Sequence, residues 1–220
     1  MSPEPPASRR AYELVKARWL DGSLRDHELL SEGAVASELG ISRTPVREAF
    51  LQLQAEGLLE LYPKRGALVV PISDRDAREL FEARRLIEQH GLDRLLAAPP
   101  AEREARLAPL LAELDELVAE QRRHLAAGEV GAYVDADRRL HRAWVAAAGN
   151  RVLLQVYDQL RDRQQRLTAS FVTSRRRDPG RLVDEHEAIV AALRAGDRAA
   201  TAERLERHLE GTIAVALGQV

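Results

Sequence analysis

The stretch Gly40-Ile41-Ser42-Arg43-Thr44-Pro45-Val46-Arg47-Glu48-Ala49 decides how the N-terminal third of the chain is read. Gly40 tolerates the left-handed conformation that ends a helix. Ser42 suits the N-cap of a following helix, and Pro45 is tolerated in its first turn. The spacing therefore predicts a short helix over about 32–39, a tight turn, and a second helix running to about Glu56, where Gly57 stops it. Val46, Phe50 (or Ala49) and Leu53 share one face of that second helix. Arg43 and Arg47, at i and i+4, share another.

Beyond Gly57 the pattern changes from helical to strand-like. Leu58-Leu59-Glu60-Leu61-Tyr62 and Ala67-Leu68-Val69-Val70 form two short runs joined by Pro63-Lys64-Arg65-Gly66, whose Pro and Gly suit a hairpin turn. Upstream, Ala11, Leu14, Val15 and Trp19 mark one more helix, followed by a polar break over Asp21–Glu28; Met1–Arg10 is Pro-rich and polar and reads as a frayed tail. Two short helices around a Gly-containing turn, then a hairpin, make a winged helix-turn-helix plan. In that plan the second helix enters the major groove of DNA. Arg43 and Arg47 suit a bidentate grip on guanine or a phosphate clamp. Ser42 and Thr44 add hydroxyls at the positive end of the helix, while Lys64, Arg65 and Gly66 occupy the tip of a wing. The competing reading is a merely solvated face, and residues 1–72 hold nine Lys and Arg against ten acids. The clustering of cations on the second helix and the hairpin favours the DNA reading.

The run Leu39 to Leu53, followed by Glu56-Gly57-Leu58 and Arg65-Gly66, resembles the signature of GntR-type regulators over about residues 10–71. The resemblance implies that Arg43, Thr44, Arg47 and Gly66 contact DNA. There are two departures. Asp26-His27 stands where the family usually has a Pro-Gly turn, and Gly33 stands where some members carry an Arg.

From Asp74 onward no strand pattern recurs. The periodicity predicts about six helices, 75–97, 102–127, 129–148, 151–174, 179–195 and 197–217, punctuated by Pro99-Pro100, Gly128, Gly149-Asn150, Pro179-Gly180 and Gly196-Asp197. The expected fold is mostly α, with a winged helix-turn-helix over residues 1–72 and an all-helical antiparallel bundle over 73–220. With only 4% aromatic residues, the core must be built largely from Leu, Val, Ile and Ala. The absence of Cys excludes disulfides and thiolate metal sites, and a net charge of −2 argues against a basic nucleic-acid coat. No apolar stretch approaches the roughly 20 residues of a membrane span. The expectation is a cytoplasmic protein without a membrane partner.

Histidines give the next clue. Asp137 and His141 sit at i, i+4 beside Val134 and Trp144; His186 lies among Leu182, Val183, Ile189 and Val190; His208 lies beside Leu205 and Leu209. Taken singly, each is a satisfied core residue. Together they offer N and O ligands from three helices, a set suited to Zn, Ni, Mn or Fe in the divalent state. Asp137-Arg138-Arg139-Leu140-His141-Arg142-Ala143 with Ala148-Gly149-Asn150, then Glu185-His186-Glu187-Ala188-Ile189 and His208, resemble the FCD domain of FadR-like GntR regulators over about residues 75–217. The resemblance implies that Asp137, His141, His186 and His208 hold a metal, and a count of six helices points to the VanR-like branch. Phe81-Glu82-Ala83-Arg84-Arg85-Leu86-Ile87-Glu88 resembles the family's opening helix, in which Arg84 would face an effector; an ion pair with Glu82 or Glu88 is the equal alternative. His27, His90 and His124 are read as surface or packing residues, and Arg175-Arg176-Arg177 as solvated.

The implied function is a homodimeric, metabolite-responsive repressor that binds a palindromic operator in double-stranded DNA and senses a small organic acid. The alternative is a metal-dependent hydrolase or lyase using the Asp/His set.

Overall fold

A computed structural model describes residues 5–173 and 180–217. They divide between two compact units, Met1–Ile72 and Ser73–Val220.

The first unit runs α1 (Ala7–Leu20), β1 (Leu29–Leu30), α2 (Glu32–Leu39), α3 (Arg43–Ala55), β2 (Leu59–Tyr62) and β3 (Gly66–Val69). Its core gathers Tyr12, Val15 and Trp19 of α1, Val35 of α2, Val46, Phe50 and Leu53 of α3, and Leu59, Ala67 and Val69 of the strands. Ser31 caps α2 by accepting from the Ala34 amide. Gly40 ends it at φ 65°, with the Ile41 amide donating to Ala36 O at 3.0 Å, a Schellman ending. Ser42 holds the extended N-cap conformation of α3, but its hydroxyl makes no cap bond. The expected tail is helical from Ala7, because Arg9 finds Glu13 one turn on and Arg10 reaches the Leu39 carbonyl. Met1–Glu4 lie outside the described residues.

The strands form one antiparallel sheet in the order β1-β3-β2. Leu29 and Leu30 of β1 lie opposite Leu68 and Ala67 of β3. This strand directly follows the stretch read as a polar break, and two residues are too few to show an alternating pattern. Its pairing is made by β3 from the far end of the unit. His27, in the place of the expected Pro-Gly turn, takes the left-handed φ of 63°, and its amide donates to Val69 O at 3.1 Å. Gly66 meets a harder constraint. At φ 111° a Cβ on Gly66 would lie 2.1 Å from the Leu30 carbonyl oxygen, so only glycine lets β1 close on the wing.

The second unit holds α4 (Asp74–Leu96), α5 (Pro100–Ala127), α6 (Val130–Ala147), α7 (Arg151–Gln159), α8 (Arg161–Thr173), α9 (Gly180–Arg194) and α10 (Arg198–Ala216). Helix α6 packs against α4, α5 and α8, while α10 packs against α4 and α9. Leu92, Leu95, Leu114, Leu140, Trp144, Ile189, Leu193 and Leu205 are fully buried among them. The sequence predicts about six helices here and the described residues hold seven, because the expected 151–174 helix breaks at Leu160. No Gly or Pro marks that break; α7 tightens at its end through a bond from the Leu160 amide to Tyr157 O. The helix count behind the VanR-like assignment therefore does not hold. Gly149 and Asn150 behave as expected, a left-handed stop at φ 74° and a cap accepting from Val152 and Leu153 amides.

One charged pair is sealed inside this unit. Glu88, with no exposed surface, accepts from Arg84 Nε at 2.8 Å and from the Tyr157 hydroxyl at 2.8 Å. The Tyr157 hydroxyl bond to Glu88 joins α7 to α4 and gives α7 its inward-facing polar anchor.

Two stability predictions follow from these packing constraints. Gly66→Ala should destabilise the N-terminal unit by about 2–3 kcal/mol, through backbone strain and the lost approach of β1; an unshifted denaturation midpoint would contradict the close approach. Glu88→Gln should cost about 3–5 kcal/mol, because it leaves the Arg84 charge buried without a counter-ion. Chemical denaturation of chelator-treated protein measures this, and a wild-type midpoint would show that the buried pair contributes little.

Candidate DNA-reading surface and metal centre

In the first unit α3 has two faces. Val46, Ala49, Phe50 and Leu53 are buried, and Ser42, Arg43, Thr44 and Arg47 are exposed along the leading edge. Lys64 and Arg65 are exposed at the hairpin tip. Lys64 sits at φ 63° after Pro63, with the Arg65 amide donating to Tyr62 O at 3.1 Å, the turn in which glycine is ordinarily favoured.

Eight of the nine cations of this unit fall into two groups, and the ninth, Arg10, donates to the Leu39 carbonyl. Arg9, Lys16, Arg18 and Arg25 each lie against a carboxylate, of Glu13, Glu56, Glu38 and Glu28. Among the described residues, Arg43, Arg47, Lys64 and Arg65 make no ion pair. Four of the ten acids are thus engaged by other cations, and the cations of the α3 edge and the wing are left without a direct carboxylate partner among the described residues. Gly66 belongs to this tip, and its conformation is already demanded by Leu30.

In the second unit the structure brings the predicted histidines together. Helix α6 supplies Asp137 and His141, α9 supplies His186 and α10 supplies His208, and all four are buried. Ligand atoms of the three histidines lie within 4.8 Å of one another. His186 Nε2 and His208 Nε2 are 3.2 Å apart. Asp137 Oδ1 lies 3.6 Å from His186 Nε2 and 4.0 Å from His141 Nε2. The Trp144 and His141 rings pack at a steep angle, with ring centroids 4.6 Å apart.

Carboxylate partners place the proton on Nδ1 of His141 and His208, and the amide oxygen of Gln121 assigns it likewise in His186. His141 Nδ1 donates to Glu88 Oε2 at 2.7 Å, His208 Nδ1 to Glu185 Oε2 at 3.1 Å, and His186 Nδ1 to Gln121 Oε1 at 2.8 Å. Each Nδ1–H is therefore committed outward, and in the neutral rings each Nε2 presents a lone pair to the centre. His141 Nε2 is buried with no hydrogen-bond partner. Three converging lone pairs beside a carboxylate repel one another unless a cation lies between them. Ligand nitrogens at about 2.0–2.1 Å from a shared ion stand roughly 3 Å apart, and a second shell of carboxylate or carbonyl acceptors on the distal N–H is what metal-bound histidines require. The residues fit a divalent metal.

Electrostatics agrees with that protonation pattern. Burial, reinforced by the charges of His208, His141 and Arg84, pushes His186 well below the ordinary imidazole range. Burial also lowers His208, against the opposing hydrogen bond to Glu185. Burial alone would raise Glu88, but the charge of Arg84 and the hydrogen bonds from Arg84 and His141 outweigh it and hold the carboxyl at about 2.

Arg84 makes the ion pair with Glu88 that one reading of the sequence anticipated. It is buried, and it lines a narrow crevice, too tight for a water molecule, with Asp137, His141, Gln164 and Thr168. Periodicity missed Glu88, Gln121, Glu185 and Tyr157 as supports. Gln121 carried a usable signal, a polar residue on the buried stripe of Leu114, Leu117 and Val118. His124 pairs with Glu129 away from the cluster. Arg175-Arg176-Arg177 lie outside the described residues.

Residues 7–69 match the family of bacterial regulatory proteins of the gntR type, and residues 79–211 match the FCD domain. The chain is 24% identical to the gluconate operon transcriptional repressor of Bacillus subtilis (strain 168), across 92% of this chain and 81% of that protein. It is 32% identical to a protein of Paenarthrobacter nicotinovorans named "Probable D-xylose utilization operon transcriptional repressor", across 81% of this chain and 74% of the other. Its fold is shared with E. coli McbR/YncC at 21% identity and a TM-score of 0.70, over 98% and 99% of the two chains. A GntR transcriptional regulator from Rhodococcus sp. RHA1 superposes at 25% identity and a TM-score of 0.71, over 97% and 98%. Those whose names state a role are transcription repressors and regulators. With both of its units matched, the chain belongs to the GntR family of bacterial transcription regulators and carries the FCD domain.

Proposed function

We propose that this protein is a cytoplasmic, metabolite-responsive repressor that binds a palindromic operator as a homodimer. The observation that carries the DNA reading is the segregation of charge in the first unit. Cations elsewhere are paired, while those of the α3 edge and wing are left for phosphates and base edges. In this reading Arg43 and Arg47 reach the major groove, Ser42 and Thr44 hold phosphates, and Lys64, Arg65 and Gly66 present the wing. A lysine kept at the left-handed position 64 supports a role for its charge, since glycine would suit that backbone better. Relatives named as repressors support the sign of regulation. Two-fold pairing is favoured because one recognition helix reads only a few base pairs.

The sensing half rests on the second unit. Asp137, His141, His186 and His208 would hold a divalent metal (Zn, Ni, Mn or Fe), which would act as a Lewis-acidic anchor for a ligand oxygen. The crevice beside it is lined by Arg84, Gln164 and Thr168 among others and would have to open to admit a ligand. A small organic acid fits this chemistry, with its carboxylate on the guanidinium fork and another oxygen toward the centre. Effector binding would then bias the packing of α4, α6 and α8, and so the equilibrium that governs DNA affinity. The hydrolase alternative has no support in a family of regulators.

Arg47→Ala should weaken binding of the full-length protein to duplexes it selects from a randomised library, and lower the salt slope by about 1 if the contact is to a phosphate. Gel-shift affinity and salt slope both equal to wild type would remove α3 from the DNA interface. Reconstitution with Zn²⁺ or Mn²⁺ after chelation should restore about one ion per chain in the wild type and markedly less in His186→Ala. Elemental analysis reads the difference, and a wild type that stays metal-free would defeat the sensor site.

A further inference from the structure

Gly33, in the first turn of α2, is not explained by backbone conformation. It carries no positive φ, and alanine would be the better helix former there. What distinguishes it is its neighbour. A Cβ built on Gly33 would lie 3.3 Å from Arg43 Nη2 and 3.5 Å from both Cζ and Nε of the same guanidinium. Gly131, also in a helix, faces open space, and Gly91 faces the backbone of α6. Gly33 alone of these three has the plane of an exposed, unpaired arginine resting over it.

We propose that Gly33 is a positioning residue for Arg43: the missing side chain leaves a shelf on α2 over which the guanidinium lies, and this sets where the fork points from the leading edge of α3. The inference rests on the reading of α3 as the DNA-contacting helix. Arg43 has several rotatable bonds and no ion pair among the described residues. Its direction is therefore set by what it lies against, and the shelf reduces the freedom it must lose on binding. A side chain at position 33 would move the fork by some tenths of an ångström at least, and a large one would turn it off the shelf. A specific arginine–base contact depends on both arms of the fork, so its direction affects which base is preferred as well as how tightly DNA is held. The position that other family members fill with a side chain would here be used by leaving it empty.

The test is a double-mutant cycle on the full-length protein, using duplexes that the wild type selects from a randomised library. Gly33→Ala should leave thermal stability equal or higher while weakening binding, a pair of signs that a purely structural glycine does not give. Gly33→Leu should weaken binding by about tenfold and relax selection at one position of each half-site. In an Arg43→Ala background Gly33→Leu should have less than about a twofold effect, because its target is gone. An equal loss in both backgrounds, or no loss in the wild-type background, overturns the role of Gly33. If Arg43→Ala itself leaves affinity and selected sequence unchanged, the DNA reading of that side chain fails instead, and the two failures are told apart by that single variant.

Discussion

A carboxylate with no access to water organises the second half of this protein. Glu88 accepts from Arg84, Tyr157 and His141, and so joins α4, α7 and α6 at one buried point. A charge in that position is tolerated only because three donors replace its hydration. The same constraint shapes the centre. With His141 Nδ1 held by Glu88, His208 Nδ1 by Glu185 and His186 Nδ1 by Gln121, the three Nε2 atoms are turned toward one another. The candidate metal site is thus a consequence of where the acceptors lie, and Arg84 is held at its rim by the same carboxylate. A change at the rim would be felt in three helices at once, which is a physical basis for coupling a bound ligand to helix packing.

The first unit solves a different problem with the same currency of charge. Its acids and cations are nearly equal in number, which by composition argues against nucleic-acid binding. Placement reverses that argument. Glu13, Glu56, Glu38 and Glu28 neutralise cations away from α3 and the hairpin, and the arginines of the α3 edge and the basic pair of the wing keep theirs. The wing itself depends on a backbone contact, the approach of Leu30 O to Gly66, which fixes β1 on β3 and so the shape of the hairpin. Net charge was a poor guide here because Coulomb interactions are local at physiological salt, with a screening length of about 8 Å.

Much of this was open to reading in the residues. The helix-turn-helix and hairpin follow from a change of period and from Gly40, Gly57, Pro63 and Gly66. The inward-facing histidines follow from polar residues lying on apolar helical stripes. The break at Leu160 was not open to reading, since no Gly or Pro marks it and the segments on either side share a helical pattern. The two-residue strand β1 was missed for a related reason: its hydrogen bonds come from residues almost forty positions away. The supporting acceptors of the histidines were hidden because Glu88 and Glu185, viewed alone, are ordinary helix surface residues.

The sequence by itself determined most of the helices, the hairpin and the inward course of the histidines, because these depend on local periodicity and on the conformational limits of Gly and Pro. Only the tertiary structure decided which acids neutralise which cations, which nitrogen of each imidazole faces the centre, and what rests on Gly33. Those outcomes depend on distances between residues far apart in the chain, and electrostatic and hydrogen-bond energies are set by such distances and by burial.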